Sequence, residues 1–279
     1  MKIRKAVIPA AGHGTRFLPV TKAMPKEMLA VIDAPAIQYV AKEAADSGAE
    51  EILIVINRSK ELIRRYFEPD AATCPAEREL AELISRVKFR FAYQDEATGT
   101  ANAVMLAREF TGEEPFAVMY GDDVILNDGG DPCVKQLADA YARTGKSIVG
   151  VQERSPEEAA KYAVVKKGRT DGRLTELLDL VEKPSPDKMP STLSSLGRYV
   201  LTPAIYEAIE HAPEFRGEKY LTHAIALLAE SEGVYAYEFE GVRYDLGDKF
   251  GFLKANIEMG RRRFGDKLDD YLKKLLAER

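Results

Sequence analysis

The chain has 279 residues, 46% of them apolar, and a formal net charge of −5. Chains of this size bury roughly three quarters of their unfolded surface, so there is material for a large core. The slightly acidic balance leaves no basic footprint for a nucleic-acid polymer, and any bound anion must be met by a local cluster of cations. Two cysteines, Cys74 and Cys133, are too few for a disulfide framework. The histidines, His13, His211 and His223, are scattered without zinc-type spacing. No apolar run approaches the ~20 residues of a membrane span. The basic start MKIRK leads into an apolar stretch that glycine and Arg16 interrupt too soon for a secretory leader. The expectation is a cytoplasmic protein with neither membrane nor nucleic-acid partner.

Strand and helix patterns then alternate. Residues 5–9 read as a buried strand, and 36–47 as a helix with Ile37, Val40 and Ala44 on one face and Gly48 as its stop. A second strand covers 51–56, followed by a helix over 59–67 that Ser59 would cap. Residues 87–93 alternate as a third strand, 101–109 read as a helix, and 115–120 form a fourth strand ending in Gly121-Asp122-Asp123. Continuous apolar strands separated by helices imply a parallel sheet covered on both faces. Ligands of such sheets gather at the carboxyl ends of strands near a topological switch point. That rule singles out the loops 10–28, 57–59, 94–100 and 121–128. Beyond residue 145 the strand-like pieces crowd together, at 146–152, 162–167, 174–182 and 196–201, with helices at 204–211 and 220–231. The last segment, 249–279, reads as one or two amphipathic helices, and neither repeat nor flexible linker divides the chain.

Four sites carry chemistry. Gly12-x-Gly14 after the first strand lets main-chain N–H groups approach a phosphate, although the same pair also fits an ordinary tight turn. Phe17 stands where a dinucleotide fingerprint needs its third glycine, which argues against a dehydrogenase, and no Gly-Lys-Ser/Thr closes a P-loop. Arg16, Lys22 and Lys26 follow within a path stiffened by Pro19 and Pro25, and both cation types suit phosphate oxygens. Gln94 and Gly99-Thr100 follow a strand, and an amide there can donate to and accept from a pyrimidine edge. Asp122 at a strand end could offer an oxygen to Mg²⁺, while an acidic turn is the plainer reading, and Tyr244-Asp245-Leu246-Gly247-Asp248 holds a second glycine-flanked carboxylate far along the chain. Glu182-Lys183-Pro184, a Glu beside a Lys at a strand end locked by proline, reads by itself as a surface ion pair.

The run AAGHGTRFLPVTKAMPKEML, residues 10–29, resembles the signature of the sugar-phosphate nucleotidylyltransferases, and matches continue through Asp248. Its ending Pro25-Lys26-Glu27-Met28-Leu29 is most like the branch that couples UTP to glucose 1-phosphate. The resemblance implies an α/β fold: a Rossmann-like mixed, mostly parallel sheet with helices on both faces and a smaller β-rich lobe on the sugar side. It implies one domain, with residues 1–145 as the nucleotide-binding half, 146–248 as the sugar-binding half and 249–279 as C-terminal helices. UTP and glucose 1-phosphate would yield UDP-glucose and pyrophosphate. By the same resemblance Ala11 and Gly12, with Gly14 in their loop, and Glu27, Gln94 and Gly99 surround the base. Arg16 and Lys26 meet the triphosphate, Asp122 and Asp245 hold Mg²⁺, and Asp122 is preferred to Asp123 because it directly follows the glycine. Glu182 meets sugar hydroxyls, Lys183 the sugar's phosphate, and Ala163 and Gly197 flank the sugar. A homo-oligomer, dimer or tetramer, is also implied.

Some positions depart from the family pattern. His13 and Ala30 replace a usual leucine and proline, Ala163 a usual glycine, and His223 a usual aspartate, while the stretch 74–86 is shorter than in many members. Ala163 and His223 bear on sugar identity more than on chemistry. A sister enzyme using dTTP or another hexose 1-phosphate, and a catalytically silent nucleotide-sugar-binding homologue, stay open at this point. Arg198, beside Gly197, fits either a sugar contact or a structural role.

Overall fold

The computed structural model describes residues 2–68, 77–215 and 217–277. Cys74 lies outside them. Among the described residues, nine strands form one sheet in the order Lys88–Tyr93, Glu51–Ile56, Lys5–Pro9, Phe116–Met119, Leu193–Leu201, Ser147–Glu153, Val234–Glu238, Leu174–Glu182 and Ala163–Asp171. Leu193–Leu201 and Leu174–Glu182 each run antiparallel to both neighbours, and the other seven point one way. The sheet is therefore mixed and mostly parallel, as the family resemblance implies, whereas the pattern of apolar strands by itself points to a parallel one.

Strand alternation builds a core on each face. Ala6, Ile8, Ile52, Ile54, Ala117 and Met119 face one layer, packed by the helices Ala36–Asp46, Cys133–Thr144 and Lys249–Phe264. Val7, Leu53, Val55, Phe116 and Val118 face the other, packed by Thr100–Met105, Ile205–His211 and Leu221–Ser231. Burial on both sides explains why the strands read as continuous apolar runs. No described helix is long and apolar enough to cross a membrane.

Lys5–Pro9 is the switch point. The chain leaves it to pair on one side with Glu51–Ile56 and later returns on the other with Phe116–Met119, both parallel. The crevice rule for open α/β sheets puts a ligand at the carboxyl end of this strand, where the loop 10–28 begins.

Several boundaries differ from the sequence reading. The expected 59–67 helix is a short 3₁₀ turn, Arg58–Lys60, running into Glu61–Tyr66, and its cap is Asn57 rather than Ser59. Asn57 Oδ1 accepts from the Ser59 N–H and hydroxyl, so the serine serves the asparagine. The expected 101–109 helix is two pieces, Thr100–Met105 and Arg108–Thr111. The C-terminal segment is two helices, Lys249–Phe264 and Asp266–Ala277, broken at Gly265.

Candidate active site

The loop after Lys5–Pro9 stays in the sheet for one residue, with the Ala10 N–H donating to Val55 O at 2.8 Å, and then turns away. Gly14 makes that turn. It has φ 65° and precedes the 3₁₀ turn Thr15–Phe17; a Cβ there would meet Thr21 Cγ2 at 3.1 Å. Its carbonyl accepts from the Thr21 hydroxyl at 3.0 Å. Phe17, in the place of a fingerprint glycine, is buried and meets the Phe252 ring edge-on at 5.9 Å. This contact fastens the loop to the helix Lys249–Phe264 and leaves Arg16 facing a cavity.

Opposite lies the turn after Phe116–Met119. Asp122 accepts a hydrogen bond from Lys26 Nζ. Burial alone would raise the Asp122 carboxyl, but the charge and hydrogen bond of Lys26 outweigh it and hold it below the usual carboxylate value. Burial likewise works against the Lys26 ammonium, and the Asp122 and Glu27 charges keep it above the ordinary lysine value. The remote Asp245 arrives through an antiparallel ribbon of Asp123–Leu126 with Val242–Asp245, in which Asp245 pairs with Asp123. A Cβ built on Gly247 would sit 2.7 Å from Asp122 Oδ2, 2.9 Å from Arg16 Nη2 and 3.1 Å from Asp245 Oδ1. Two carboxylates and a guanidinium thus converge on one spot.

Asp123 faces inward instead. Arg243 Nη2 donates to its carboxylate at 2.5 Å, and the fully buried Arg198 donates to its carbonyl at 2.6 Å. Burial pushes the Asp123 carboxyl up to about 7 against the pull of Arg243, and Asp122 and Asp245 add to the rise. Arg198 also forks onto Glu43, at 2.7 Å from Nη2 and 3.1 Å from Nε, so it is a structural brace and not a ligand contact.

The far wall is built of hydroxyls. The register of Leu193–Leu201 against Ser147–Glu153 shifts between Ser195 and Tyr199, around Gly197 at φ 69°. A Cβ on Gly197 would fall 2.4 Å from Asp123 Oδ2, so only glycine fits this bulge. Ser195 Oγ donates to Tyr199 OH at 3.1 Å, and the Thr222 hydroxyl donates to Glu182 Oε2 at 3.0 Å. Lys183 holds φ 42°, a left-handed conformation that costs a non-glycine residue of order 1–3 kcal/mol. Its N–H donation to Tyr162 O at 3.1 Å helps retain it. Tyr162 OH in turn donates to Asp245 Oδ2 at 2.9 Å and stacks under Arg243 at 4.6 Å.

One cavity of about 1110 Å³ takes in all these surfaces. It brings together Ala11, Gly12, Arg16, Lys26 and Glu27 from the loop, Gln94 and Gly99 from the third strand's end, and Asp122 and Asp245. Ala163, Glu182, Lys183 and Gly197 line it from the other side. Gly14 is not on the wall; its place is in the turn. Lys22 and His13 are exposed and off the wall too. His223 also lies off it, its Nδ1 buried without a hydrogen-bond partner and its ring edge-on to Tyr220 at 5.6 Å. Asp248 lines the cavity rim while capping the helix Lys249–Phe264 through the Gly251 N–H at 2.9 Å. Sequence reasoning missed Arg154, Lys161, Tyr120, Tyr199, Thr222 and Arg243 on the wall. Tyr120, Lys161, Tyr199, Thr222 and Arg243 each stand within two residues of a position singled out in the sequence, whereas Arg154 had no such signal.

A loop of free main-chain donors and cations at a switch point, facing paired carboxylates, defines a nucleotide-handling α/β enzyme. The chain belongs to the nucleotidyl transferase family, whose model matches residues 5–261. It is 43% identical over 286 residues to UTP–glucose-1-phosphate uridylyltransferase 2 of Staphylococcus saprophyticus, with 98% of each chain covered. To UTP–glucose-1-phosphate uridylyltransferase YngB of Bacillus subtilis it is 42% identical, over 94% of this chain and 91% of the other. A crystal structure of UDP-glucose pyrophosphorylase complexed with UDP-glucose superposes with a TM-score of 0.89 at 36% identity, covering 93% of this chain and 99% of that one. The UTP-bound enzyme of Acinetobacter baumannii gives a TM-score of 0.85 at 34% identity, with 99% of each covered.

Proposed function

We propose that the protein transfers UMP from UTP to glucose 1-phosphate, giving UDP-glucose and pyrophosphate. The observation that carries this reading is the convergence of Asp122, Asp245 and Arg16 on one spot, with Lys26 and Lys183 on the same cavity. The names of the relatives at 43% and 42% identity support the choice of substrates.

The attacking group is a phosphate oxygen of glucose 1-phosphate, already ionised at neutral pH, so no general base or covalent intermediate is needed. Its bond to the α-phosphorus of UTP forms as the α–β bridging bond breaks, and pyrophosphate leaves with the electron pair. The barrier is mainly repulsion between two polyanions and the cost of aligning them. Lys183 holds the attacking phosphate. Arg16 and Lys26 neutralise charge that builds on the α-phosphate and the leaving group.

Asp122, which accepts from Lys26, and Asp245, whose Oδ1 accepts from the Gly247 N–H at 2.9 Å, are two neighbouring carboxylates of the kind that suits Mg²⁺, a hard ion that takes one or two protein oxygens and completes its shell with phosphate and water. The absence of any larger cage of ligand side chains among the described residues suits the same ion. Held by Asp122 and Asp245, Mg²⁺ would supply charge neutralisation to the phosphates. At the base end, Gln94 Nε2 is spent on Gly99 O and Thr98 Oγ1, each at 3.1 Å. Its carbonyl oxygen is thereby left to accept the imide N–H of uracil, which cytosine lacks. We further infer a cytoplasmic homo-oligomer, dimer or tetramer, supported by the exposed apolar Phe250, Leu253, Tyr271 and Leu276 on the last two helices.

The test is pyrophosphate release with each nucleoside triphosphate paired with each sugar 1-phosphate, with and without Mg²⁺. The expected result is highest turnover with UTP and glucose 1-phosphate. A preference for dTTP or another hexose would move the protein to a sister activity, and no turnover with any pair would leave only nucleotide-sugar binding.

A further inference from the structure

Behind the loop sit two buried polar side chains that no step above uses. Lys60 is 4% exposed and Asn57 5%. Lys60 Nζ donates to Ala10 O at 2.6 Å and to both oxygens of Glu27 at 2.8 and 2.9 Å, so all three of its hydrogens are committed. Asn57 Nδ2 donates to Ala11 O at 2.6 Å, while its Oδ1 is fixed by Ser59. Neither residue lines the cavity. A trans peptide carries its N–H opposite its carbonyl, so tying the carbonyls of Ala10 and Ala11 backwards turns the N–H groups of Ala11 and Gly12 forwards. Among the described residues, no protein acceptor meets either N–H. Both residues lie on the cavity wall, at the end shared with Gln94 and Gly99.

We propose that Lys60 and Asn57 are positioning residues for the base: they lock the two peptide planes between Ala10 and Gly12 so that both N–H groups meet the carbonyl oxygens of a pyrimidine. Lys60 has a second task. Glu27 is 1% exposed, and burial pushes its carboxyl up and the Lys60 ammonium down, each against the pull of the other. By covering Glu27, Lys60 keeps an uncompensated carboxylate from competing with the incoming phosphates for Lys26. The inference rests on the reading of the cavity as a uridine-nucleotide site.

Calorimetric titration of the full chain tests the positioning of the base apart from the proposed reaction, because it needs no turnover. The ligands are UTP, inorganic tripolyphosphate and glucose 1-phosphate. The variants are Asn57→Ala, and Lys60→Met made on the Glu27→Gln background so that no bare charge is buried. Relative to its own parent, each variant should bind UTP about tenfold more weakly, the loss of one well-placed donor, with the other two ligands within about twofold of the parent. Unchanged UTP affinity, or equal weakening towards all three ligands, would overturn the proposal. Weakening towards tripolyphosphate as well as UTP would also overturn it, by assigning the N–H groups to phosphate. Failure of wild-type turnover with UTP and glucose 1-phosphate would count against the reaction and leave this comparison intact.

Discussion

The two ends of the cavity are built by different means. At the loop end, the main chain of Ala11 and Gly12 lines the wall, held from behind by buried Lys60 and Asn57, beside the side chains of Arg16, Lys26 and Gln94. At the other end they are side chains, the hydroxyls of Ser195, Tyr199 and Thr222 around Glu182, with Lys183 kept in a strained conformation. A main-chain site tolerates sequence change, because any residue but proline supplies an N–H; a side-chain site is retuned by single substitutions. The departure at Ala163 falls at the second end, His223 lies off the wall beside its neighbour Thr222, and the loop departure His13 is exposed.

The largest expected effect tests the foundation beneath both ends. Arg198 links Glu43 on a helix to the Asp123 carbonyl beside the carboxylate pair. Arg198→Met leaves Glu43 buried and unpaired and should cost about 3–5 kcal/mol of stability, read from denaturant unfolding. A loss below about 1 kcal/mol would mean the brace is dispensable. Next come the cations that serve the reacting centre. Arg16→Ala and Lys183→Ala should each slow turnover by about 10²–10³-fold with unfolding transitions near wild type. Near-normal turnover in either would remove that residue from the mechanism.

A smaller effect follows from Asp122. Its folded-state carboxyl lies below the ordinary value of 3.8 because Lys26 outweighs burial. The unfolded chain therefore binds that proton more readily, so the pair's contribution is present above about pH 4 and lost as pH falls through the depressed folded value. In magnesium-free buffer, Asp122→Asn should flatten part of the acid limb of the stability profile; an identical slope in both proteins would deny the coupling. The smallest effect sharpens the contrast between the ends. Ala163→Gly removes one methyl from the wall, worth about 1 kcal/mol at most. It should shift KM for the sugar phosphate by less than about tenfold and leave KM for UTP alone, and an equal shift in both would erase the distinction.

Much of this was legible in the sequence, for identifiable reasons. The sheet, its two covered faces and the importance of loops 10–28 and 121–128 follow from apolar runs, a local signal. Asp122 follows from its place at a strand end. Asp245 and Lys183 were accessible only through the family resemblance, because the ribbon that aligns Asp245 with Asp123 joins segments far apart in sequence. Lys60 lies 33 residues from Glu27, and Arg198 lies 155 from Glu43, so neither pair leaves a pattern in any short window. Gly14 misled because a turn glycine and a ligand-contacting glycine look alike until the wall is seen. Ser59 misled in the same way, since Asn57 two residues earlier competes for the cap and wins with a better-placed oxygen.

The most direct test of the central claim, that carboxylates and fixed cations let two polyanions meet at one spot, is the dependence of initial pyrophosphate release on Mg²⁺ concentration. It compares the wild-type protein with Asp122→Asn and Asp245→Asn. The expected result is a half-saturating Mg²⁺ concentration raised by about tenfold or more in both variants. Curves that superpose on the wild type would contradict the assignment of the paired carboxylates.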